Sequence, residues 1–137
     1  MGRYDDVRDR VAIITGATGG LGGALVPAFL EQGALVVAVG RRAEPLRSLE
    51  ERVAGYGERL AAEACDVGDA AQVDALVRRT LDRWGRIDTL VNAAGGFAGG
   101  KGVGDLPDEQ WRGQLETNLT STFHCCRAVR GRPWRAA

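Results

Sequence analysis

Residues 11–22 read VAIITGATGGLG, and the rest of the chain can be read outward from them. Val11 to Ile14 form a short apolar, mostly β-branched run, the pattern of a parallel strand buried on both faces. Gly16, Gly20 and Gly22 follow at fixed spacing, and an apolar helical pattern begins beyond them. Each glycine has a physical use in such a turn. Gly16 permits a tight bend, Gly20 lets a ligand approach the backbone, and Gly22 lets the helix lie close on the sheet. Strand, glycine turn and helix in that order set a phosphate on a helix N-terminus. No Gly-Lys-Ser/Thr follows, so the turn is not a P-loop, and a dinucleotide is the expected ligand. A plain turn is the competing reading; the strand on one side and the helix on the other argue against it.

The remaining segments repeat the alternation. The first helix is expected over about Gly20–Gln32, with Leu21, Leu25, Phe29 and Leu30 on its apolar side and Gly33 as its stop. Pro27 inside it predicts a kink or a loosened first turn. A second strand (Ala34–Val39) leads into a second helix, about Glu44–Tyr56, that buries Leu46, Leu49 and Val53. The less apolar Leu60–Cys65 suits a strand at a sheet edge. A third helix over about Ala70–Trp84 carries Val73, Leu76, Val77, Leu81 and Trp84 at helical spacing. Then come a fourth strand (Ile87–Ala93), a glycine-rich loop (Gly95–Gly104) and a long helix over about Pro107–Arg130. Trp111, Leu115, Leu119, Phe123 and Cys126 make that helix's stripe. Strands alternating with helices imply βαβ units and a parallel sheet, an α/β fold in a single domain of 137 residues.

Bulk composition narrows the function. A formal net charge of zero offers no field for nucleic acid or an anionic membrane, so neither is an expected partner. MGRYDDVRDR has no apolar core or cleavage pattern, and no apolar run approaches the length of a membrane span. Cys65, Cys125 and Cys126 show no CxxC spacing, and His124 is the one histidine. A reducing compartment, the cytoplasm, and no metal site are therefore expected.

Four motifs in order resemble the short-chain dehydrogenase/reductase family. The first is Thr15-Gly16-Ala17-Thr18-Gly19-Gly20-Leu21-Gly22, which fits that family's TGxxxGxG. The others are Cys65-Asp66-Val67, Asn92-Ala93-Ala94-Gly95 (a variant of NNAG) and Asn118 within Glu116-Thr117-Asn118-Leu119. The resemblance covers about residues 8–129 and implies a Rossmann-like three-layer fold, its four parallel strands in order 3-2-1-4. It implies an NAD(P)-dependent oxidoreductase that moves hydride between nicotinamide and a small carbonyl or alcohol substrate. On that reading Gly16, Thr18, Gly19, Gly20, Leu21 and Gly22 hold the pyrophosphate end. Asp66 and Val67 lie near the adenine, Ala93, Ala94 and Gly95 near a ribose, and Asn118 is the one remaining member of the active site. Asp66 has a competing reading as a helix cap or solvated loop residue. Asn92 reads equally as a cofactor contact or as a tie between strands. Arg41 and Arg42 stand where an NAD site usually carries an acid, and a guanidinium can hold a 2′-phosphate in bidentate fashion. NADP(H) is thus favoured, with NAD open and a solvated arginine pair as the alternative.

The sequence also departs from the family. Its tyrosines are Tyr4 and Tyr56, and neither has a lysine four residues on. The only lysine, Lys101, follows Phe97 at that distance, so no YxxxK exists here. A tyrosine exchanges a proton near neutral pH only if a nearby cation lowers its pKa, so the chain alone is expected to bind without turnover. A non-catalytic dinucleotide-binding or dimerising module is the alternative. The atypical tail over 130–137, Arg130-Gly131-Arg132-Pro133-Trp134-Arg135-Ala136-Ala137, is expected to be an early stop or a frameshifted end, with the missing motif in another frame. Without a further strand, the fourth strand becomes an edge and the long helix exposes its stripe, which predicts self-association over about 107–130.

Overall fold

A computed structural model describes residues 7–130, so the expectations for Tyr4 and the rest of residues 1–6, and for the tail from 131 to 137, lie outside the described residues. Four strands, β1 (Val11–Thr15), β2 (Leu35–Gly40), β3 (Leu60–Ala64) and β4 (Thr89–Asn92), form one sheet in the order β3-β2-β1-β4, and every pairing is parallel. The central pair is in register from Val11 against Leu35 to Thr15 against Val39, and Ala12 to Thr15 run beside Thr89 to Asn92. Asp88 pins the foot of this ladder, its Oδ2 accepting from the Val11 amide at 2.9 Å and from Arg86 Nε at 2.7 Å.

Side chains alternate across the sheet, so the apolar runs of β1 and β2 feed two cores. Ile13, Val37 and Val39 join Val73, Leu76, Val77, Cys125 and Val129 on one face. Ile14, Val36 and Ala38 join Val26, Leu30, Leu49 and Val53 on the other. The helices responsible are α1 (Gly20–Glu31) and α2 (Ala43–Arg52) on the second face, with α3 (Ala70–Trp84) and α5 (Ser121–Arg130) on the first. All five residues of β1 are buried, which makes it the strand on which the two cores meet.

Several helices differ from the sequence reading. Helix α1 buries Gly22, Val26 and Leu30; Leu25 and Phe29 flank that face, while Leu21 is 67% exposed. The apolar side therefore centres on a glycine, a face that hydropathy underweights. Pro27 lies inside α1, which runs as one element without a break. Helix α2 stops at Arg52, and a 3₁₀ segment (Ala54–Arg59) carries the chain to β3 through Gly57 at φ +54°. The expected long helix is interrupted. Helix α4 (Asp108–Leu115) passes through a π-helical turn (Glu116–Thr120) into α5. The core side of α5 is Ser121, Cys125 and Val129, whereas Trp111, Leu119 and Phe123 are each more than half exposed. Among the described residues β4 pairs with β1 alone and forms the sheet's other edge.

Candidate functional site

Each strand of the sheet ends at the same edge, and the ends open into one cavity of about 600 Å³. The turn after β1 supplies Gly16, Thr18 and Gly19, and β2 supplies Val39, Gly40, Arg41 and Arg42. The segment from Cys65 to Asp69 walls it beyond β3, Ala93 to Gly95 beyond β4, and Glu116, Thr117 and Ser121 from the π turn and α5. Among the residues singled out in the sequence, Gly20, Leu21, Gly22, Asn92 and Asn118 stand outside this lining.

The three motif glycines do different work. Gly16 takes φ +64°, and a Cβ there would sit 2.5 Å from the Ala93 carbonyl oxygen. A Cβ on Gly22 would sit 2.2 Å from the Gly16 carbonyl oxygen. Both are demanded by the backbone packed against them. A Cβ on Gly20 would meet nothing within 4 Å. The chain itself gives no reason for glycine at that position. Helix α1 begins beside it with Gly19 as N-cap, no side-chain cap and no acid in the first turn. Its first amides are therefore free donors at the positive end of the helix.

The turn is tied on both sides. The Ala17 amide donates to the Val39 carbonyl at 3.0 Å. Thr15, buried at the end of β1, accepts from the Ala94 amide at 3.1 Å, and its hydroxyl faces the Val91 carbonyl at 3.4 Å. Beyond β4 the loop is held by Asn118. Its Oδ1 accepts from the Gly96 amide at 3.0 Å, while its Nδ2 donates to the Gly96 carbonyl at 2.9 Å and to the Gln114 carbonyl at 3.0 Å. A Cβ on Gly95 would come within 2.6 Å of that same Oδ1. The π turn carries Asn118, and such turns often occur at functional sites. Asn92 points elsewhere, donating to the Cys126 sulfur at 3.5 Å. Thr15 opens the glycine motif but carries no assigned role in the sequence reading, and Ser121 has none: one buried hydroxyl in a helix leaves no pattern.

The wall beyond β3 is built from its own polar groups. Asp66 Oδ1 accepts from the Gly68 amide at 2.9 Å, closing a turn, and the Asp66 amide donates to Gln72 Oε1 at 2.9 Å. The helix cap falls to Asp69, which accepts from the Ala71 and Gln72 amides. The Gln72 side chain, donating to Asp69, is the main reason that carboxyl is held below its usual range; the Gln72 and Ala71 amides add to it. Two of the thiols are inert. Burial pushes Cys65 up to about 11 and Cys125 up to about 12, so both stay protonated at neutral pH. Only Cys126 is exposed. At pH 8 the native chain should release one equivalent of thiol chromophore rapidly with a disulfide reagent, and the other two only on unfolding. Rapid release of three would contradict the burial. Among the described residues no group of acids, cysteines and histidine is arranged to hold a metal, and no helix is long and apolar enough to cross a membrane.

Residues 10–131 match the family model described as short chain dehydrogenase. The chain belongs to that family. It is 38% identical over 125 residues to the (2S)-[(R)-hydroxy(phenyl)methyl]succinyl-CoA dehydrogenase subunit BbsD of Thauera aromatica, covering 91% of this chain and 50% of that one. Its fold is also that of solved family structures. An actinorhodin polyketide ketoreductase with NADPH superposes at a TM-score of 0.81 with 34% identity, covering 94% of this chain and 48% of that chain. A metagenomic short-chain oxidoreductase in complex with NADP superposes at 0.83 with 30% identity, covering 91% and 57%. The chain thus spans about half the length of the curated relatives it matches.

Proposed function

We propose that residues 1–137 are the dinucleotide-binding portion of an oxidoreductase that moves hydride between NADP(H) and a carbonyl or alcohol. The observation that carries the reading is the meeting, around one open cavity, of the Gly16–Gly19 turn with the chain ends beyond β2, β3 and β4, beside the uncapped N-terminus of α1. A cavity of about 600 Å³ lies within the range of cofactor sites. The Gly16–Gly19 turn and the first amides of α1 would receive the pyrophosphate. Asp66 and Val67 would flank the adenine, and Ala93 to Gly95 would leave room for a ribose. Arg41 and Arg42 would take a 2′-phosphate, since no acid stands beside them at the end of β2. The bound nicotinamide supplies the hydride donor or acceptor. Relatives solved with NADPH and NADP support the same cofactor here.

Asn118 holds the loop after β4 and so positions the Ala94–Gly95 wall rather than moving a proton. The sequence has no YxxxK, so the proton relay that the family builds from that motif is not supplied by these residues. The chain should therefore quench on titration with NADPH, reported by Trp84 and Trp111, and oxidise none of it with a panel of carbonyl compounds. Turnover that survives rigorous purification would sink the claim that Tyr and Lys are essential. A Gly20→Val variant tests the site directly. It should weaken NADPH binding by about 100-fold, since a side chain next to Gly19 of the cavity lining would crowd the first amides of α1, while shifting stability by less than about 1 kcal/mol. Equal binding by variant and parent would remove the pyrophosphate from that position.

One observation favours a second role as a dimerising module. Trp111, Leu115, Leu119 and Phe123 form an exposed apolar stripe at helical spacing, wider than isolated surface residues need. Light scattering at high concentration should report a dimer, and Leu119→Asp should return it to monomer with the thermal midpoint unchanged. A monomeric parent would contradict this.

A further inference from the structure

His124 is the sole histidine of the chain and lies half-buried on α5, outside every role assigned above. Its Nδ1 is 3.3 Å from the carbonyl oxygen of Val67, 57 residues away in sequence. Val67 lies in the cavity wall beyond β3, with a side chain 7% exposed. The other hydrogen bonds of that wall are local or reach β2. Cys65 donates to the Gly40 carbonyl, Asp66 to Gln72, Gly68 to Asp66, and Asp69 to the Asp66 carbonyl. Among the described residues, His124 provides the hydrogen bond that joins this wall to α5. The same helix sends Ser121 into the cavity one turn earlier.

We propose that His124 is a positioning residue for the adenine side of the cofactor site, donating its Nδ1–H to the Val67 carbonyl and so fixing the Asp66–Val67 wall against α5. The proposal rests on the dinucleotide reading of the cavity. A carbonyl accepts only from a protonated nitrogen, so the contact selects the imidazole form that carries a proton on Nδ1. The ring centroid of Phe123 is 5.9 Å from that of His124, the two planes tilted by 50°. A residue so placed touches no reacting atom; it acts on the ligand through Val67.

The test compares the parent chain with His124→Leu, which keeps bulk without a donor, and His124→Gln, whose amide can donate to the same carbonyl. Amide hydrogen exchange is read for residues 66–69 in the ligand-free chain, and NADPH affinity is then measured by calorimetry. His124→Leu should speed exchange across residues 66–69 and weaken NADPH binding about fivefold, the effect of one lost neutral hydrogen bond. His124→Gln should restore both to within about twofold of the parent, on the same hydrogen-bond scale. Affinity for reduced nicotinamide mononucleotide, which has no adenine half, should not change. Unaltered exchange in His124→Leu overturns the strap whatever the binding shows. Faster exchange with unaltered NADPH affinity overturns its role in positioning. Equal loss of both ligands means a general loosening, and also overturns it. Absence of saturable NADPH binding by the parent brings down the dinucleotide reading, and with it the ligand this wall was proposed to receive.

Discussion

Gly22→Ala should lower the thermal unfolding midpoint by about 10 °C, the effect of roughly 3 kcal/mol on a domain of this size. The new methyl group would sit 2.2 Å from the Gly16 carbonyl oxygen and 2.9 Å from the Ala17 Cα, against backbone rather than a side chain that can swing away. Relief requires α1 to move off β1. That movement would open the core made by Val26, Leu30 and Ile14, which helix and strand share. Alanine is the better helix former, so intrinsic propensity works in the opposite direction and makes the sign of the result informative. Gly20→Ala, two residues earlier and with nothing within 4 Å, should leave the midpoint within about a degree or two. Differential scanning calorimetry of the two variants decides the matter. Equal shifts would mean that α1 does not pack on the turn as described.

Replacing both Arg41 and Arg42 by alanine should weaken NADPH binding about 100-fold, while NADH changes by no more than about threefold, a difference of roughly 3 kcal/mol from lost charge-assisted hydrogen bonds. The two arginines are exposed, follow β2 directly and face the cavity, and no acid stands with them to hold a ribose hydroxyl. Exposed side chains contribute little to the fold, so the midpoint should hold. Fluorescence titrations with the two cofactors, at matched ionic strength because the contact is electrostatic, give the ratio. Equal weakening for both would place the pair away from the 2′-phosphate and return them to a solvated loop.

The fold was legible because its signals were local and repeated. Two continuous apolar runs, VAII and ALVVAV, read as strands covered on both faces, the glycine turn between the first run and a helix marked a βαβ unit, and the resemblance to the family implied the strand order. The order β3-β2-β1-β4 agrees with that reading. Boundaries were less legible. Helix α2 ends at Arg52 rather than Tyr56, giving way to the 3₁₀ segment over Ala54–Arg59, and β4 keeps only Thr89–Asn92 of the seven residues assigned to it. The faces of two helices misled for one physical reason. Where a helix lies close on a sheet the contact residues are small, so Gly22 on α1 and Ser121 and Cys125 on α5 point inward while Leu21 and Phe123 point out. Hydropathy ranks those residues in reverse. The expectation that the long helix would leave its stripe uncovered agrees with the exposure of Trp111, Leu115, Leu119 and Phe123.

At the site, residue types were readable and their partners were not. The turn glycines, Asp66, Ala93 and Ala94 are motif positions, whereas the ties between them run between segments far apart in sequence. Thr15 reaches Ala94, Asn118 reaches Gly96, and His124 reaches Val67. Asn118 reads from sequence as the remainder of an active site, and the structure adds that both ends of its carboxamide are committed to the loop after β4. The π turn that presents it has no sequence signature, because one extra residue in a helical turn leaves the apolar period almost unchanged.

The central claim is that this chain alone holds a dinucleotide on the free N-terminus of α1. Calorimetric titration of the purified 137-residue chain with NADPH tests it most directly. One saturable site, displaced by 2′,5′-ADP and weakened about 100-fold in Gly20→Val at a nearly unchanged thermal midpoint, is the predicted result. No saturable heat from a folded chain, or equal binding by Gly20→Val, would contradict it.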